Sequence, residues 1–343
     1  MKKICVLGGG SWGATIASLV SNNAGGKAEV SLWEFVDARA REMRETRRLS
    51  ILPQLRIPDP IDVGSDIGRA LRGADGILSI VPSEFVRSTW KAARPHVSGP
   101  ELVVSFSKGI ERGSLKRMSE VIAEECPAAA GKIAVVSGPS HAEEVAQSIP
   151  TAVVAASERK SRAGLAQELL ASPSFRVYTN SDVVGAEICG ALKNIFAIAC
   201  GACDGLGLGD NTKSALITRG LSEMAKLGVA LGGSQPTFYG LAGMGDLVVT
   251  CFSRHSRNRL FGEKIGKGGT PEEALKEMTM VAEGYPTSLS AQSLVEKTGS
   301  NCPIITEIHS VLYRGKNIRD SISDLMTRPT HEETRQVNWK DPS

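Results

Sequence analysis

Two polar residues inside one apolar stretch are the first candidates for chemistry. Ala191-Leu192-Lys193-Asn194-Ile195-Phe196 places an ammonium and an amide in a run that otherwise reads as a buried helix. A lysine there is costly to bury unpaired, so it either snorkels to water or serves a site. Asp246, in Gly243-Met244-Gly245-Asp246-Leu247, is a carboxylate able to pair with Lys193, although a purely structural ion pair would leave the same trace in sequence. Next comes Ser256-Arg257-Asn258, where a guanidinium fork between a hydroxyl and an amide suits a phosphate monoester. Lys108 beside Gly109 combines an ammonium with a close-approaching backbone, which suits an anionic group; the plain alternative is a solvated lysine.

A second set of candidates is built from glycine. Lys3-Ile4-Cys5-Val6-Leu7 reads as a buried strand, and Gly8, Gly10 and Gly13 follow it as G-x-G-x-x-G. The first glycine makes a tight strand-to-helix turn, the second lets backbone approach a pyrophosphate, and the third lets helix pack on strand. Ala14 to Val20 then continues as helix, whose first-turn amides and dipole favour negative charge. The motif alone is weak, but a second strand, Glu29 to Trp33, ends at Glu34, twenty-one residues after Gly13. An acid there accepts the ribose hydroxyls of a dinucleotide and opposes the extra phosphate of NADP. A solvated strand-end carboxylate is the bland alternative, and Arg39 and Arg41 nearby leave NADP open.

The elements that must position these groups follow a recognisable alternation. Apolar runs at Gly76 to Val81, Leu102 to Phe106, Ile133 to Ser137, Ala152 to Ala156 and Phe175 to Tyr178 alternate with helix-like segments. That pattern predicts an α/β fold, a Rossmann-like doubly wound, mostly parallel sheet with helices on both faces. Ligands collect beyond the carboxyl ends of such strands. Three ends carry candidates: Val81-Pro82-Ser83, Ser107-Lys108-Gly109 and Ser137-Gly138-Pro139-Ser140-His141-Ala142. The proline-rich stretch from Ile51 to Pro60 reads as a surface connection with an apolar anchor. From Ser181-Asp182 onward the apolar spacing turns helical through Gly228, interrupted by Asp204 to Asn211, a glycine-rich segment read as too loose for a helix. Further helices are expected at Pro271 to Lys276, Ser288 to Glu296 and Ile304 to Tyr313. The expected division is a dinucleotide-binding domain over 1–180, a mainly α-helical second domain over 181–330 and a loose polar tail over 331–343.

Composition removes several function classes. The 343 residues carry 40 basic and 37 acidic side chains for a net charge of +3, which argues for no nucleic-acid partner, and any basic site must be local. No run of eighteen apolar residues suggests a membrane span, and the glycines near the start interrupt any signal-peptide core. Seven cysteines without scaffold spacing fit a reducing cytoplasm, and Cys200-Gly201-Ala202-Cys203 reads as buried thiols rather than a redox or zinc pair. Five histidines show no metal-ligand spacing, and only His141 sits in a strand-end loop, so the expected mechanism uses no metal.

Taken together, these motifs resemble one family, the NAD(P)-dependent glycerol-3-phosphate dehydrogenases of the bacterial branch, from Lys3 to about Pro329. The likeness rests on Gly8 to Gly13, Ser107-Lys108-Gly109-Ile110-Glu111, Ser137-Gly138-Pro139-Ser140, Leu192-Lys193-Asn194, Asn211-Thr212-Lys213, Gly243 to Leu247, Ser256-Arg257-Asn258 and Val281-Ala282-Glu283-Gly284. The resemblance implies dihydroxyacetone phosphate and sn-glycerol 3-phosphate as the substrate pair, NAD or NADP as cofactor, supply of glycerol phosphate for phospholipids, and a homodimer. It also implies cofactor contacts from Ser11, Trp12, Phe35, Lys108, Ala142, Arg257, Val281 and Glu283, beside the glycines and Glu34 already read. Substrate contacts would come from Lys108, Gly138, Ser140, Lys193, Asp246, Ser256, Arg257 and Asn258, with Lys193 as the acid/base. Two departures stand out: Glu34-Phe35 replaces the arginine common after the second strand, and His141 replaces a common Phe.

Two rivals stay open on sequence. Another two-domain dehydrogenase, acting on a hydroxy acid or sugar phosphate, would also want a lysine and an amide on a helix. A nicotinamide-sensing regulator would bind cofactor without turning over substrate, but it predicts a second domain devoid of acid, base and phosphate donors.

Overall fold

The computed structural model describes residues 1–278 and 281–329. Eight strands form one sheet: β1 (Lys3–Leu7), β2 (Glu29–Trp33), β3 (Asp62–Gly64), β4 (Gly76–Ser79), β5 (Leu102–Ser105), β6 (Ile133–Ser137), β7 (Thr151–Ala156) and β8 (Phe175–Asn180). Their order is β3-β2-β1-β4-β5-β6-β7-β8, and every pairing is parallel except β6 with β7. Strand order reverses between β1 and β4, which opens a crevice beyond their carboxyl ends. Both sheet faces are covered: in β1, Ile4 and Val6 join one apolar cluster while Cys5 and Leu7 join another. Burial on two sides explains why these strands read as unbroken apolar runs.

β3 escapes the sequence reading because only three residues pair and the proline-rich connection precedes them. That connection is anchored as expected, with Leu52, Leu55 and Ile57 buried.

Beyond β8 the chain is helical, and one helix organises the rest. Val183–Gly205 starts under the Asp182 side chain, which accepts the Gly185 amide at 2.7 Å, and every residue from Gly185 to Cys203 is buried. It is long and apolar enough to cross a membrane, yet 94% of its apolar window lies inside the fold. Each of its large apolar side chains contributes about 1.5–3 kcal/mol when fully buried.

The segment Asp204 to Asn211 needs correction. Asp204 and Gly205 end one helix, Asp210 begins the next (Asp210–Ala230), and only residues 206–209 form the turn. Gly205 serves packing rather than looseness, because a Cβ on it would overlap the Glu263 carbonyl. The same holds one turn earlier. The helices Val183–Gly205 and Arg257–Gly266 cross backbone to backbone, with Gly201 against the Arg259 carbonyl and Gly262 against the Ile198 carbonyl. Gly262→Ala is therefore expected to wedge the two helices apart and cost about 1–3 kcal/mol, read as an earlier thermal unfolding transition. This crossing sets Asn258 against Asn194, on the turn of helix that carries Lys193, with Arg257 next to it at the helix start.

The expected helices near the C-terminus extend further than their apolar spacing shows, as Gly284–Thr298 and Pro303–Tyr313, and one more, Ile318–Met326, follows. The expected polar tail 331–343 lies outside the described residues.

Candidate active site

The turn after β1 shows why its glycines are glycines. Gly8 has φ +116°, and a Cβ on it would also meet the Ile80 carbonyl oxygen at 2.7 Å. Gly13 faces the Gly8 carbonyl so closely that any side chain would overlap it. Gly10 differs, since an added methyl would touch nothing in the protein within 4 Å. Its smallness leaves room for something outside the chain.

The helix Ser11–Ala24 begins at that open space. Its first internal bond runs from the Ala14 amide to the Gly10 carbonyl at 2.9 Å, so the amides of residues 11–13 are left over at the helix start. The Ser11 hydroxyl is buried there without a hydrogen-bond partner. Clear space, spare amides and an orphaned hydroxyl fit the pyrophosphate of a dinucleotide. Trp12 is fixed edge-on to Phe106, ring centroids 6.1 Å apart.

At the end of β2, Glu34 is 6% exposed, packs over Gly9 and accepts the Val36 amide at 3.0 Å on Oε1. Next to it, Phe35 is 78% exposed, an aromatic ring standing in water with one edge toward Trp33. Arg41 is paired with Asp37 on the surface at 3.2 Å, while Arg39 stands exposed.

The second part of the site lies where the strand ends meet the helices. Lys193 Nζ donates to Asp246 Oδ1 at 2.5 Å and to Thr250 Oγ1 at 2.9 Å, and Lys108 Nζ donates to Asp246 Oδ2 at 2.7 Å. One carboxylate therefore holds two ammonium groups, one from each half of the chain. Lys108 reaches it across Gly190, where a Cβ would sit 3.4 Å from the Lys108 chain. Asp246 follows a π-turn, with the Gly245 amide bonded to the Gly240 carbonyl at 3.1 Å, and Thr250 lies one α-turn further on the same face. The sequence reading anticipated Lys193 and Asp246 together but not Thr250. Its signal was there, a hydroxyl four residues after the acid.

Burial decides the electrostatics of this cluster. Lys193 and Asp246 are 7% and 1% exposed. Desolvation pulls the Lys193 ammonium down to about 8, Asp246 opposes that shift and Lys108 adds to it. For Asp246, burial pushes the carboxyl up, but the two ammonium groups outweigh it and hold it below the usual range. Lys193 is thereby a buried amine able to hold or release a proton near neutral pH.

Around this cluster the remaining predicted residues take distinct places. Arg257 is exposed at the start of its helix and has no hydrogen-bond or ion-pair partner among the described residues. Ser256 caps that helix, its hydroxyl accepting the Arg259 amide at 3.2 Å. Asn258 is more committed than its motif suggests: Nδ2 donates to Asn194 Oδ1 at 2.9 Å, and Oδ1 accepts the Gly284 amide at 2.8 Å. One Nδ2 hydrogen remains for a ligand.

Gly138 turns the chain after β6 at φ +139°, and Ser140 Oγ donates back to the Gly138 carbonyl at 2.9 Å. Ala142 is buried at the head of the short helix that follows. Val281 is 37% exposed, beside the undescribed residues 279 and 280. Glu283 bridges the two halves, accepting the Ser83 amide at 3.1 Å and the Ser83 hydroxyl at 2.5 Å. Burial raises its carboxyl above the ordinary range even though Ser83 counters. All seven cysteines are free and buried.

The family models and the curated relatives agree on one family. The model of the NAD-dependent glycerol-3-phosphate dehydrogenase N-terminus matches residues 3–163, and that of the C-terminus matches residues 182–323. The glycerol-3-phosphate dehydrogenase [NAD(P)+] of Chlorobium phaeobacteroides is 47% identical over 96% of this chain and 99% of its own. Its counterpart in Moorella thermoacetica is 44% identical, covering 98% and 99%. Among solved structures, the crystal structure of glycerol-3-phosphate dehydrogenase from Coxiella burnetii superposes with a TM-score of 0.89 at 36% identity, covering 95% and 99%.

Proposed function

Because the chain belongs to the NAD-dependent glycerol-3-phosphate dehydrogenase family, we propose that it interconverts dihydroxyacetone phosphate and sn-glycerol 3-phosphate with NAD(P), and that Lys193 is its acid/base. The observation that carries the reading is the buried Lys193 ammonium, held by Asp246 and Thr250 at the carboxyl ends of the central strands, with a free Arg257 on the adjoining helix. A cofactor-sensing protein without chemistry has no use for that set.

Gly8, Gly10, Ser11, Trp12 and Gly13 would hold the pyrophosphate half of the cofactor, with Glu34 on the ribose and Phe35 against the adenine. Lys108, Ala142, Arg257, Val281 and Glu283 would line its other end. When bound, the cofactor supplies or accepts the hydride at C2 of the substrate. The remaining work belongs to side chains. Lys193 Nζ gives a proton to the C2 oxygen in reduction and takes it back in oxidation. Thr250 and Asp246 aim the amine, and Lys108 adds positive charge where negative charge develops. Arg257, with Ser256 and the remaining Asn258 hydrogen, binds the phosphate; Gly138 and Ser140 close the wall opposite. Lys108, Lys193 and Arg257 together suit a dianionic substrate.

The direct test is loss of reduced-nicotinamide absorbance when purified protein meets dihydroxyacetone phosphate, run with NADH and NADPH side by side. No oxidation of either would sink the reading. The buried Glu34 carboxylate supports NADH as the better cofactor, because it opposes a 2′-phosphate.

A pH prediction follows from the Lys193 shift. Oxidation of glycerol 3-phosphate needs the neutral amine, so its rate is expected to rise as pH increases through about 8. Reduction needs the ammonium and is expected to fall over the same window. A rate profile in each direction checks both limbs, and parallel profiles would exclude Lys193 as the titrating group.

The wider setting belongs to the same proposal. Buried free thiols support a cytoplasmic location, and the exposed apolar side chains of Tyr239, Met244 and Phe252 support a homodimer. Family membership supports supply of glycerol phosphate for phospholipid synthesis.

A further inference from the structure

One buried polar atom of the cleft has no part in the chemistry above. In the loop after β6, Gly138 makes the turn and Ser140 bonds back to it, but Nε2 of His141 is shut off from water and bonded to no protein group. Buried polar atoms left unpaired are costly, and an isolated one in a cleft marks a place where something else supplies the bond. The ring lies among the charges of the site. Burial, with Lys193 and Lys108, disfavours its protonation; Asp246 and Glu143 favour it; the outcome holds the imidazole down at about 4. His255 is also a neighbour, with ring centroids 6.0 Å apart and a tilt of 53°. His141 is thus neutral at working pH, one ring nitrogen a donor and the other an acceptor.

We propose that His141 is a specificity-determining residue of the substrate site, its Nε2 hydrogen-bonding the free hydroxyl at the end of the triose opposite the phosphate. The inference rests on dihydroxyacetone phosphate being the substrate. That molecule presents three polar regions: a dianionic phosphate, the C2 oxygen and one uncharged hydroxyl. Arg257 suits the first and Lys193 the second, both as cations. An uncharged hydroxyl both gives and takes hydrogen bonds, and a neutral imidazole can do either with it. A further cation in its place, beside Lys108, Lys193 and Arg257, would compete for the phosphate. A Phe at this position would bring bulk without a bond, so the histidine adds selectivity rather than shape.

The experiment compares kcat/KM for dihydroxyacetone phosphate with that for hydroxyacetone phosphate, which lacks only this hydroxyl, in wild type, His141→Phe and His141→Gln. Wild type is expected to prefer the hydroxylated substrate by about tenfold or more. His141→Phe should lose most of that preference while keeping its rate on hydroxyacetone phosphate. His141→Gln, whose amide reaches the place of Nε2, should restore it. If the phenylalanine variant melts early, His141→Leu carries the same comparison. Equal slowing of both substrates, or an unchanged preference, overturns the assignment. Failure of wild type to reduce dihydroxyacetone phosphate overturns it as well, and that result points to the substrate reading rather than to His141.

Discussion

Replacing Lys193 with alanine is expected to lower kcat by about 10²–10⁴-fold in both directions, the range spanned by a positioned general acid or base. The protein should still fold. Asp246 keeps Lys108 at 2.7 Å and an accompanying threonine hydroxyl, so the variant does not strand an unpaired buried carboxylate, which is the usual reason such changes unfold a protein. KM for dihydroxyacetone phosphate should change much less than kcat, because Arg257, the proposed phosphate anchor on the neighbouring helix, is untouched. A small amine such as methylamine, added to the assay, is expected to enter the vacated space and return part of the rate. A variant with near wild-type turnover and an unchanged pH profile would remove Lys193 from the chemistry. The proton would then have to come from Lys108, the other ammonium on the same carboxylate, and Lys108→Met would be the variant that loses kcat.

The local half of this candidate site was legible in the chain. Gly8, Gly10 and Gly13 could be read because a tight strand-to-helix turn is a short-range demand, written into consecutive residues. Glu34 could be read because it closes a strand of the βαβ unit at a near-constant offset. Lys193 stood out because a charge in an apolar run conflicts with its surroundings, and such conflicts collect at functional sites. The remaining features are long-range and left only faint traces. That Lys108 shares Asp246 with Lys193 depends on a contact between residues 138 positions apart. Thr250 is an ordinary helical threonine until Asp246 one turn earlier is known to face Lys193. The glycines around Cys203 looked like a flexible loop, whereas Gly201 and Gly205 are small because another helix lies against them. Composition alone does not separate a glycine needed for motion from one needed for contact. The reversal of β7 against β6 was equally hidden, since an apolar strand carries no mark of its direction.

Arg257 gives the second large expected effect, and it separates anchoring from proton transfer. The guanidinium is exposed and unpaired among the described residues, so Arg257→Leu should leave the melting transition close to that of wild type. Its kcat/KM for dihydroxyacetone phosphate is expected to fall about a hundredfold or more, since two charge-assisted bonds to a phosphate are each worth about 1.5–3 kcal/mol. Part of that loss should appear in kcat. Binding energy at the phosphate holds C2 against the amine, and a substrate that pivots spends less time in reacting geometry. Arg257→Lys should recover little, because an ammonium keeps the charge but not the planar fork. Guanidinium ion in the assay should recover more. The pH profile is the discriminating readout: with Lys193 intact, the limb near 8 should persist in Arg257→Leu at its reduced rate, while Lys193→Ala should abolish it. If the leucine variant instead moved that limb and left KM for dihydroxyacetone phosphate unchanged, Arg257 would be tuning the amine rather than holding the phosphate. The division of labour between the two helices would then have to be redrawn.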